Sequence, residues 1–142
     1  MTSQPPGARP DFPLPVPSED GAPFWEFLRN GELRIQRCAS CGVLQHPPRP
    51  MCPACGSFER EWAPVSGRGT VYSFVITRQA VHPSFEGHIP YATVVVELEE
   101  GVRLTSNLLD VPVDEIAIGM PARLELVPVD EAITLPLFRR AD

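Results

Sequence analysis

All four cysteines of the chain lie within one short stretch, CASCGVLQHPPRPMCPACG, at residues 38–56. They form two copies of the motif Cys-x-x-Cys-Gly, at Cys38/Cys41/Gly42 and at Cys52/Cys55/Gly56. This spacing lets both thiolates of one turn reach a single ion, and the glycine that follows lets the backbone curl back. Two such turns, ten residues apart, can supply a closed tetrahedral site of four sulfur atoms.

The donor set restricts which metal the site binds and what the metal does there. Thiolates are soft ligands that accept zinc or iron. Because four protein thiolates leave no open coordination position, a zinc ion here is structural rather than catalytic. Iron in a rubredoxin-like centre would carry an electron, but no other feature of the sequence indicates a redox partner. We therefore predict one structural zinc ion, bound by Cys38, Cys41, Cys52 and Cys55.

Compartment decides between a metal site and disulfides, because disulfides persist only where thiols are oxidised. The N-terminal residues MTSQPPGARPDFPLPVPSEDG lack the basic segment and apolar run of a secretory signal. The sequence contains no run of about 18 apolar residues, so no membrane span is predicted. We therefore expect a cytoplasmic protein with reduced cysteines and no membrane association.

The chain divides into three predicted parts. Residues 1–22 form a Pro-rich extended N-terminal tail, which is either disordered or an arm that lies along a partner. Residues 23–63 hold a short helix and the zinc ribbon. The helix is predicted in GAPFWEFLRNG, with Pro23 in its first turn and Asn30-Gly31 at its end. Residues 64–142 form the barrel described next.

Alternating apolar residues predict five strands after residue 64. The first four candidates are GTVYSFVITR at 69–78, YATVVVELEE at 91–100, VRLTSNLL at 102–109 and MPARLELV at 120–127. The last is AITLPLF at 132–138, and a short helical turn is expected after Asp114. Because Gly101 joins two of them, residues 91–109 are predicted to form a hairpin. The predicted fold class is mainly β: a short N-terminal helix, a rubredoxin-like zinc ribbon and a five-stranded OB-fold barrel, with an open five-stranded sheet as the alternative.

Charge is distributed unevenly along the chain. The 12 basic residues are all arginine and the net charge is −6. Between Arg29 and Arg78 there are seven arginines and three acids, so this segment carries +4 and the remainder carries −10. Arginine binds phosphate and carboxylate groups through two parallel hydrogen bonds, so the segment suits an anionic small ligand. The alternative explanation is a GC-rich genome that prefers arginine codons.

No set of residues in the sequence indicates a catalytic site. His46 lies between the two cysteine motifs and is expected to be a surface imidazole rather than a ligand. His82 and His88 flank PSFEG in a predicted loop, without an evident nucleophile and orienting acid beside either. SGRG at 66–69 is a tight turn before a strand rather than a phosphate-binding loop before a helix.

The order of these features resembles the zinc-ribbon and OB-fold family of acyl-CoA-associated proteins, formerly a domain of unknown function. The resemblance runs from about Pro23 to Phe138. It rests on the helix with FW, the ribbon CxxCG…PPR..CPxCG, SGRGTVYSF, PY, VELEEGVRL.SNL, IGM and LPLF. The fold implied is a helix, a rubredoxin-like ribbon and an OB barrel. Cys38, Cys41, Cys52 and Cys55 match the zinc positions of the family.

The resemblance implies a partner role in acyl-CoA chemistry. Members bind thiolase-superfamily enzymes, and in some cases MaoC-like hydratases, as small subunits of hetero-oligomers. The partner is a thiolase or an aldolase (a lyase) that acts on sterol or fatty-acid side chains, and it holds the catalytic residues. The small subunit stabilises the partner and helps to bind the CoA ester. On this basis Arg37, Arg49 and Arg68 are the candidates for contact with CoA phosphates.

Two other functions compete with this one. Ribbons and OB barrels both bind nucleic acid elsewhere. The net charge of −6 and the acidic barrel argue against it, because a strand-binding groove is electropositive. A rubredoxin-type redox protein is the other alternative, which the colour of the purified protein would decide.

Overall fold

The computed structural model describes residues 13–141, so most of the predicted Pro-rich tail, at residues 1–12, lies outside the described residues. The elements are α1 (Ala22–Arg29), β1 (Arg34–Cys38), β2 (Leu44–Gln45), β3 (Arg60–Pro64), β4 (Arg68–Thr77), β5 (Tyr91–Leu98), β6 (Arg103–Leu109), β7 (Pro121–Pro128) and β8 (Thr134–Arg140). Two 3-10 turns lie at Pro83–Phe85 and Val113–Glu115. The second includes Asp114 and lies where the sequence predicts a short helical turn.

Helix α1 forms where the sequence predicts it. Pro23 lies in the first turn, and Asn30 ends the helix with its N–H bonded to carbonyls of the last turn. Gly31 follows with a φ of 87°, a left-handed conformation that glycine adopts at little cost. Phe24 and Leu28 are the buried residues of the helix. In the described part of the chain, no helix has the length and apolar character needed to cross a membrane.

The ribbon is a three-stranded antiparallel sheet in which β1 lies between β2 and β3. Gln36 stands opposite Gln45 on one side and Trp62 on the other. Ile35 of β1 is fully buried and belongs to the same hydrophobic core as Phe24 and Leu28 of α1. The central strand of the ribbon therefore packs against helix α1.

Strands β4 to β8 close into a barrel with the order β4-β5-β6-β8-β7, in which β7 pairs again with β4. All pairs are antiparallel except β6 and β8, which are joined in parallel over a short stretch. This is the five-stranded OB arrangement. The closure decides between the predicted barrel and the alternative open sheet in favour of the barrel.

The predicted hairpin at residues 91–109 is confirmed, with β5 and β6 in register from Thr93/Asn107 to Glu97/Arg103. Along β5 the burial alternates residue by residue. Its inward residues are Ala92, Val94, Val96 and Leu98. A fully buried valine or leucine contributes about 1.5–3 kcal/mol, so the alternation predicted from the sequence identifies residues that stabilise the barrel.

One core joins the ribbon part to the barrel. Phe24, Leu33 and Ile35 belong to the same buried cluster as Val71 and Phe138 of the barrel. Strand β3 ends at Pro64 and β4 begins at Arg68, with no long linker between the two sheets. The division of the chain at residues 63 and 64 remains a prediction.

Strand β4 pairs with two neighbours because it is bent. Its register with β5 shifts between Val71 and Ser73, as at a β-bulge. Residues 68–70 pair with β7 on one side, and residues 69 and 70 also pair with β5 on the other. At Gly69 a Cβ atom would lie only 2.2 Å from the carbonyl oxygen of Glu97. The close approach of β4 and β5 therefore requires glycine at this position.

We predict that Gly69→Ala lowers the free energy of unfolding by about 3 kcal/mol, the upper end of the cost of overpacking, because the added methyl meets backbone that cannot rotate away. Thermal denaturation followed by circular dichroism measures the effect. Gly87→Ala is the matched control, since a Cβ there has no atom within 4 Å. Equal melting temperatures for the two variants would contradict the assigned strand approach.

Candidate metal centre

The four cysteine sulfur atoms form one compact group. All four Sγ atoms lie within 4.8 Å of one another. The Cys38 and Cys55 sulfurs are 3.6 Å apart, and those of Cys41 and Cys52 are 3.7 Å apart. Tetrahedral zinc with bonds of about 2.3 Å places its sulfur ligands about 3.8 Å from one another. The four cysteines are therefore positioned to bind zinc.

The two cysteine turns have the same local geometry. In the first, the Gly42 N–H donates to the Cys38 carbonyl at 2.8 Å, and in the second the Gly56 N–H donates to the Cys52 carbonyl at 2.9 Å. Both glycines have a positive φ, 80° and 78°. This conformation would strain any residue with a side chain. The repeated glycine in the sequence thus reports a repeated backbone shape that aims two sulfurs at one point.

Further hydrogen bonds join the two turns without the metal. The Ser40 and Ser57 hydroxyls are 2.8 Å apart. The Ala39 N–H donates to the Glu59 carbonyl at 3.0 Å. The antiparallel pairing of β1 with β3 also connects the two turns, because Cys38 lies opposite Arg60 there. The serine pair could not be predicted from the sequence, because hydroxyl contacts across the site depend on how the two turns face each other.

Each turn holds one sulfur that ionises easily. The Cys41 backbone N–H, which lies 3.5 Å from the Cys38 sulfur, lowers the pKa of Cys38 to about 6. The Cys55 backbone N–H likewise lowers the pKa of Cys52. Although the Ser57 N–H acts in the opposite direction, bonding to the Cys38 sulfur raises the pKa of Cys55 to about 12. Full ionisation of the group therefore requires a cation.

His46 is not the surface imidazole expected from the sequence, and it is not part of the four-sulfur group. Its ring is half-buried, with its centre 4.8 Å from that of Phe24 in α1. Burial lowers its pKa to about 4. The residues after it fold back over β1, where the Arg49 N–H donates to the side-chain oxygen of the buried Gln36 at 2.8 Å. The packing of His46 against Phe24 of the helix could not be predicted from the sequence.

The three arginines predicted to contact CoA lie in different surroundings. Arg37 of β1 forms an ion pair with Glu61 at 2.7 Å. The backbone of Arg49 is bonded on both sides, to Gln36 and Arg60, while its side chain is exposed. Arg68, at the start of β4, pairs with Glu99 at 3.2 Å. Two of the three therefore meet carboxylates of the same chain, and their contact with CoA remains a prediction.

The loop between β4 and β5 holds a contact that the sequence did not reveal. The His82 Nδ1 atom accepts the Ser84 N–H at 3.2 Å and lies 2.6 Å from the Ser84 hydroxyl. His82 is the N-terminal cap of the 3-10 turn Pro83–Phe85. The pair is local in sequence and closes a turn, so its role is to shape the loop. A His-Pro-Ser sequence before a turn is the signal that could have found it.

Family models match most of the described chain. A model described as "ChsH2, rubredoxin-like zinc ribbon domain" matches residues 25–61. A second, described as "ChsH2, C-terminal OB-fold domain", matches residues 62–127. The resemblance stated from the sequence is therefore confirmed for the ribbon and the barrel alike.

Curated relatives include subunits of acyl-CoA enzymes. A "Probable enoyl-CoA hydratase alpha subunit" of Thermomonospora curvata is 44% identical over 91% of this chain and 40% of the relative. A "3-oxo-4,17-pregnadiene-20-carboxyl-CoA hydratase alpha subunit" of Mycobacterium tuberculosis is 43% identical over 77% of this chain and 34% of the relative. This chain thus spans well under half of the length of these two relatives.

Shorter relatives match over more of their own length. A "DUF35 domain-containing scaffold protein" of Methanocaldococcus jannaschii is 38% identical over 68% of this chain and 69% of the relative. "Benzoylsuccinyl-CoA thiolase subunit BbsA" of Thauera aromatica is 32% identical over 72% of this chain and 63% of the relative. A solved chain from the "Ltp2-ChsH2(DUF35) aldolase" superposes with a TM-score of 0.82 and 43% identity, covering 91% of this chain and all of that one.

We predict that the purified protein contains one zinc ion per chain. Cys52→Ser is expected to lose stoichiometric zinc, because the hydroxyl that replaces the thiolate is a much poorer ligand. Elemental analysis of freshly purified protein measures both. Ser40→Ala is the control, since it removes the contact with Ser57 but leaves four sulfurs. Full zinc content in Cys52→Ser would refute the four-sulfur site, and a red protein with iron would refute the choice of metal.

We also predict a loss of stability in acid that depends on His46. The pKa of His46 is about 4 when folded and 6.5 when unfolded, so below pH 6.5 the unfolded state binds more protons. Stability should fall as the pH drops from 6.5 to 4, by about 3 kcal/mol in total. Urea unfolding across this range, compared between the wild type and His46→Phe, isolates the effect from protonation of the cysteines. Parallel pH profiles for the two proteins would contradict it.

Proposed function

We propose that this chain, which belongs to the ChsH2 family of proteins with a rubredoxin-like zinc ribbon and an OB-fold, is a non-catalytic accessory subunit that binds a thiolase-like enzyme acting on acyl-CoA. The observation that carries the proposal is the closed group of four sulfurs. All four ligands come from the chain and lie within 4.8 Å of one another. Such a site has no open position for a substrate.

The metal would therefore act on the structure of the chain. Bound zinc supplies a cross-link between the two cysteine turns, on the order of 10 kcal/mol of apparent folding free energy. The turns are short of apolar contacts, since Cys41 and Cys55 are exposed. The cross-link would fix β1 and β3, and with them the shared core that continues into the barrel. A rigid platform of this kind suits the binding of another protein.

The names of the relatives support a partner role in acyl-CoA chemistry. Two are alpha subunits of CoA-ester hydratases, one is a subunit of a thiolase and one is a scaffold protein. The similar solved chain comes from an aldolase named for two components. We infer that the partner is a thiolase or an aldolase, with a hydratase as a further component, and that the complex is a hetero-oligomer. Thioesters of steroid side chains are the first substrates to test.

The outer face of strands β4, β5 and β6 is the surface we assign to this partner. Opposed residues on the three strands form two rows, Ser73/Val95/Thr105 and Val75/Thr93/Asn107; these six residues are the outer barrel face. None of them is charged, although 21% of the chain is. Val75 is 61% exposed. An uncharged face with an exposed apolar residue favours an apolar protein surface.

The size of this face is consistent with the centre of an interface. Three strands about 4.8 Å apart, each contributing about four residues of its length, cover roughly 200 Å², about a quarter of the roughly 800 Å² that each partner buries in an interface of standard size. At one end lie Arg103 and Glu97, paired at 2.9 Å, with the Arg103 guanidinium 3.6 Å above the ring centre of Tyr72. This arrangement of an uncharged centre and a polar rim is typical of protein interfaces. An oligonucleotide would instead require exposed aromatics and positive charge in the centre.

Co-expression with a thiolase-like protein from the same genome tests the proposal. We expect the two chains to co-elute on size-exclusion chromatography and the complex, but not this chain alone, to turn over an acyl-CoA thioester. Val75→Arg should weaken the complex at least tenfold, because it introduces an unpaired charge at an uncharged interface. Val81→Arg is the control, since Val81 is 83% exposed but lies in the β4–β5 loop.

Three outcomes would count against the proposal in different ways. If no thiolase-like, aldolase or hydratase protein co-elutes with the wild type, the accessory role is wrong. If Val75→Arg and Val81→Arg form the complex equally well, the partner uses another surface. Turnover of a thioester by this chain alone would refute the non-catalytic role.

A further inference from the structure

Three arginines stand side by side on neighbouring strands of the barrel. Arg68 of β4 is directly opposite Arg123 of β7, and Arg123 is directly opposite Arg139 of β8. Opposed residues in antiparallel strands point to the same side of the sheet, with Cβ atoms about 5 Å apart. The three side chains, here called the arginine row, therefore share one outward surface. The sequence separates them by up to 71 positions, so only the closed barrel brings them together.

The two outer members of the row are neutralised by acids of the same chain. Arg68 pairs with Glu99 at 3.2 Å. Arg139 pairs with both Asp110 and Glu125. Arg123, in the middle, is exposed, and within residues 13–141 it has no ion pair, hydrogen bond or aromatic contact. The row thus has a free guanidinium flanked by two others.

Arg123 has no stabilising contact that would explain an arginine at this position. Like charges placed directly opposite each other destabilise a pair of strands. Acids of the same chain offset this for Arg68 and Arg139, whereas among residues 13–141 no acid pairs with Arg123. A solvent-facing position on β7 accepts many residue types, so the barrel does not require arginine there. Local conflicts of this kind are expected where a surface serves a function.

We propose that Arg123 and Arg68 form a binding site for the phosphate group of a small molecule. A guanidinium offers two parallel N–H donors that match two phosphate oxygens, and Arg123 has all of its donors available. The Arg68 and Glu99 side chains are 67% and 55% exposed. An exposed ion pair of this type contributes little to stability, so a phosphate dianion can displace Glu99 and take the Arg68 guanidinium. Arg139 stays with its two carboxylates.

Of the three arginines predicted to contact CoA phosphates, this site includes one, Arg68. Arg68 was a candidate for contact with CoA phosphates, and it gains a partner in Arg123 that the sequence did not single out. Arg37 and Arg49 lie on the ribbon and are not part of the row. If the proposed function holds, the phosphates of the CoA ester are the natural source of the ligand. The site itself can be tested without any partner enzyme.

Titration of the purified full chain tests the site, with inorganic phosphate and adenosine 3′,5′-bisphosphate as probes and isothermal calorimetry or amide chemical shifts as the readout. We expect Arg123→Gln to weaken the binding of both at least tenfold. Arg123→Lys should restore part of the loss, because lysine keeps the charge but lacks the paired donors. Glu99→Gln should tighten binding two- to threefold, since it removes the competitor for Arg68.

A matched control separates the site from general charge attraction. Arg78→Gln removes another exposed arginine, at the opposite end of β4 and outside the row, and should leave binding unchanged. Equal weakening by Arg78→Gln and Arg123→Gln would overturn the proposal, as would binding that Arg123→Gln does not affect. Loss of phosphate binding in Glu99→Gln would also overturn it. If Arg123→Gln still co-elutes with the partner enzyme, the effect of this substitution on phosphate binding is independent of the accessory role.

Discussion

Four sulfur atoms that converge within 4.8 Å are the constraint on which the first half of the structure depends. A metal ion bound to them would hold together two turns, the first at the end of β1 and the second shortly before β3. Because Ile35 of β1 lies in the same core as Phe24 and Phe138, the effect of the cross-link reaches the helix and the barrel. Bound metal would therefore stabilise more than the loop that holds it.

Closure of the barrel is the second constraint, and it depends on one strand. β4 bends at the bulge after Val71 and passes so close to β5 at Gly69 that no side chain fits. This lets it pair with β5 and β7 together. Closure removes the exposed edges that an open sheet would present to other chains. A partner that binds the barrel would therefore contact its outward faces, where side chains rather than backbone groups decide specificity.

The outward faces of the barrel differ in character although they are built from the same strands. On β4, β5 and β6 the opposed residues are short and uncharged, as at Val75, Thr93 and Asn107. On β4, β7 and β8 they are arginines. One barrel can thus offer an uncharged surface to a protein and a charged surface to an anion. Under the proposed function, the first surface would hold the partner enzyme and the second would bind phosphates of its CoA ester.

Local patterns in the sequence determined the cysteine turns with their two glycines, helix α1 between Pro23 and Asn30, and the alternating strands of the hairpin, since each depends on neighbours a few residues apart. The tertiary structure alone decided that the five strands close, that His46 packs on Phe24, and that Arg37 meets Glu61. It also decided that Arg68, Arg123 and Arg139 stand in one row. These features join residues distant in sequence through strand pairing and packing, which local patterns do not specify. The contacts of Arg37 and His46 form within the ribbon part, and the arginine row forms when β7 pairs with both β4 and β8.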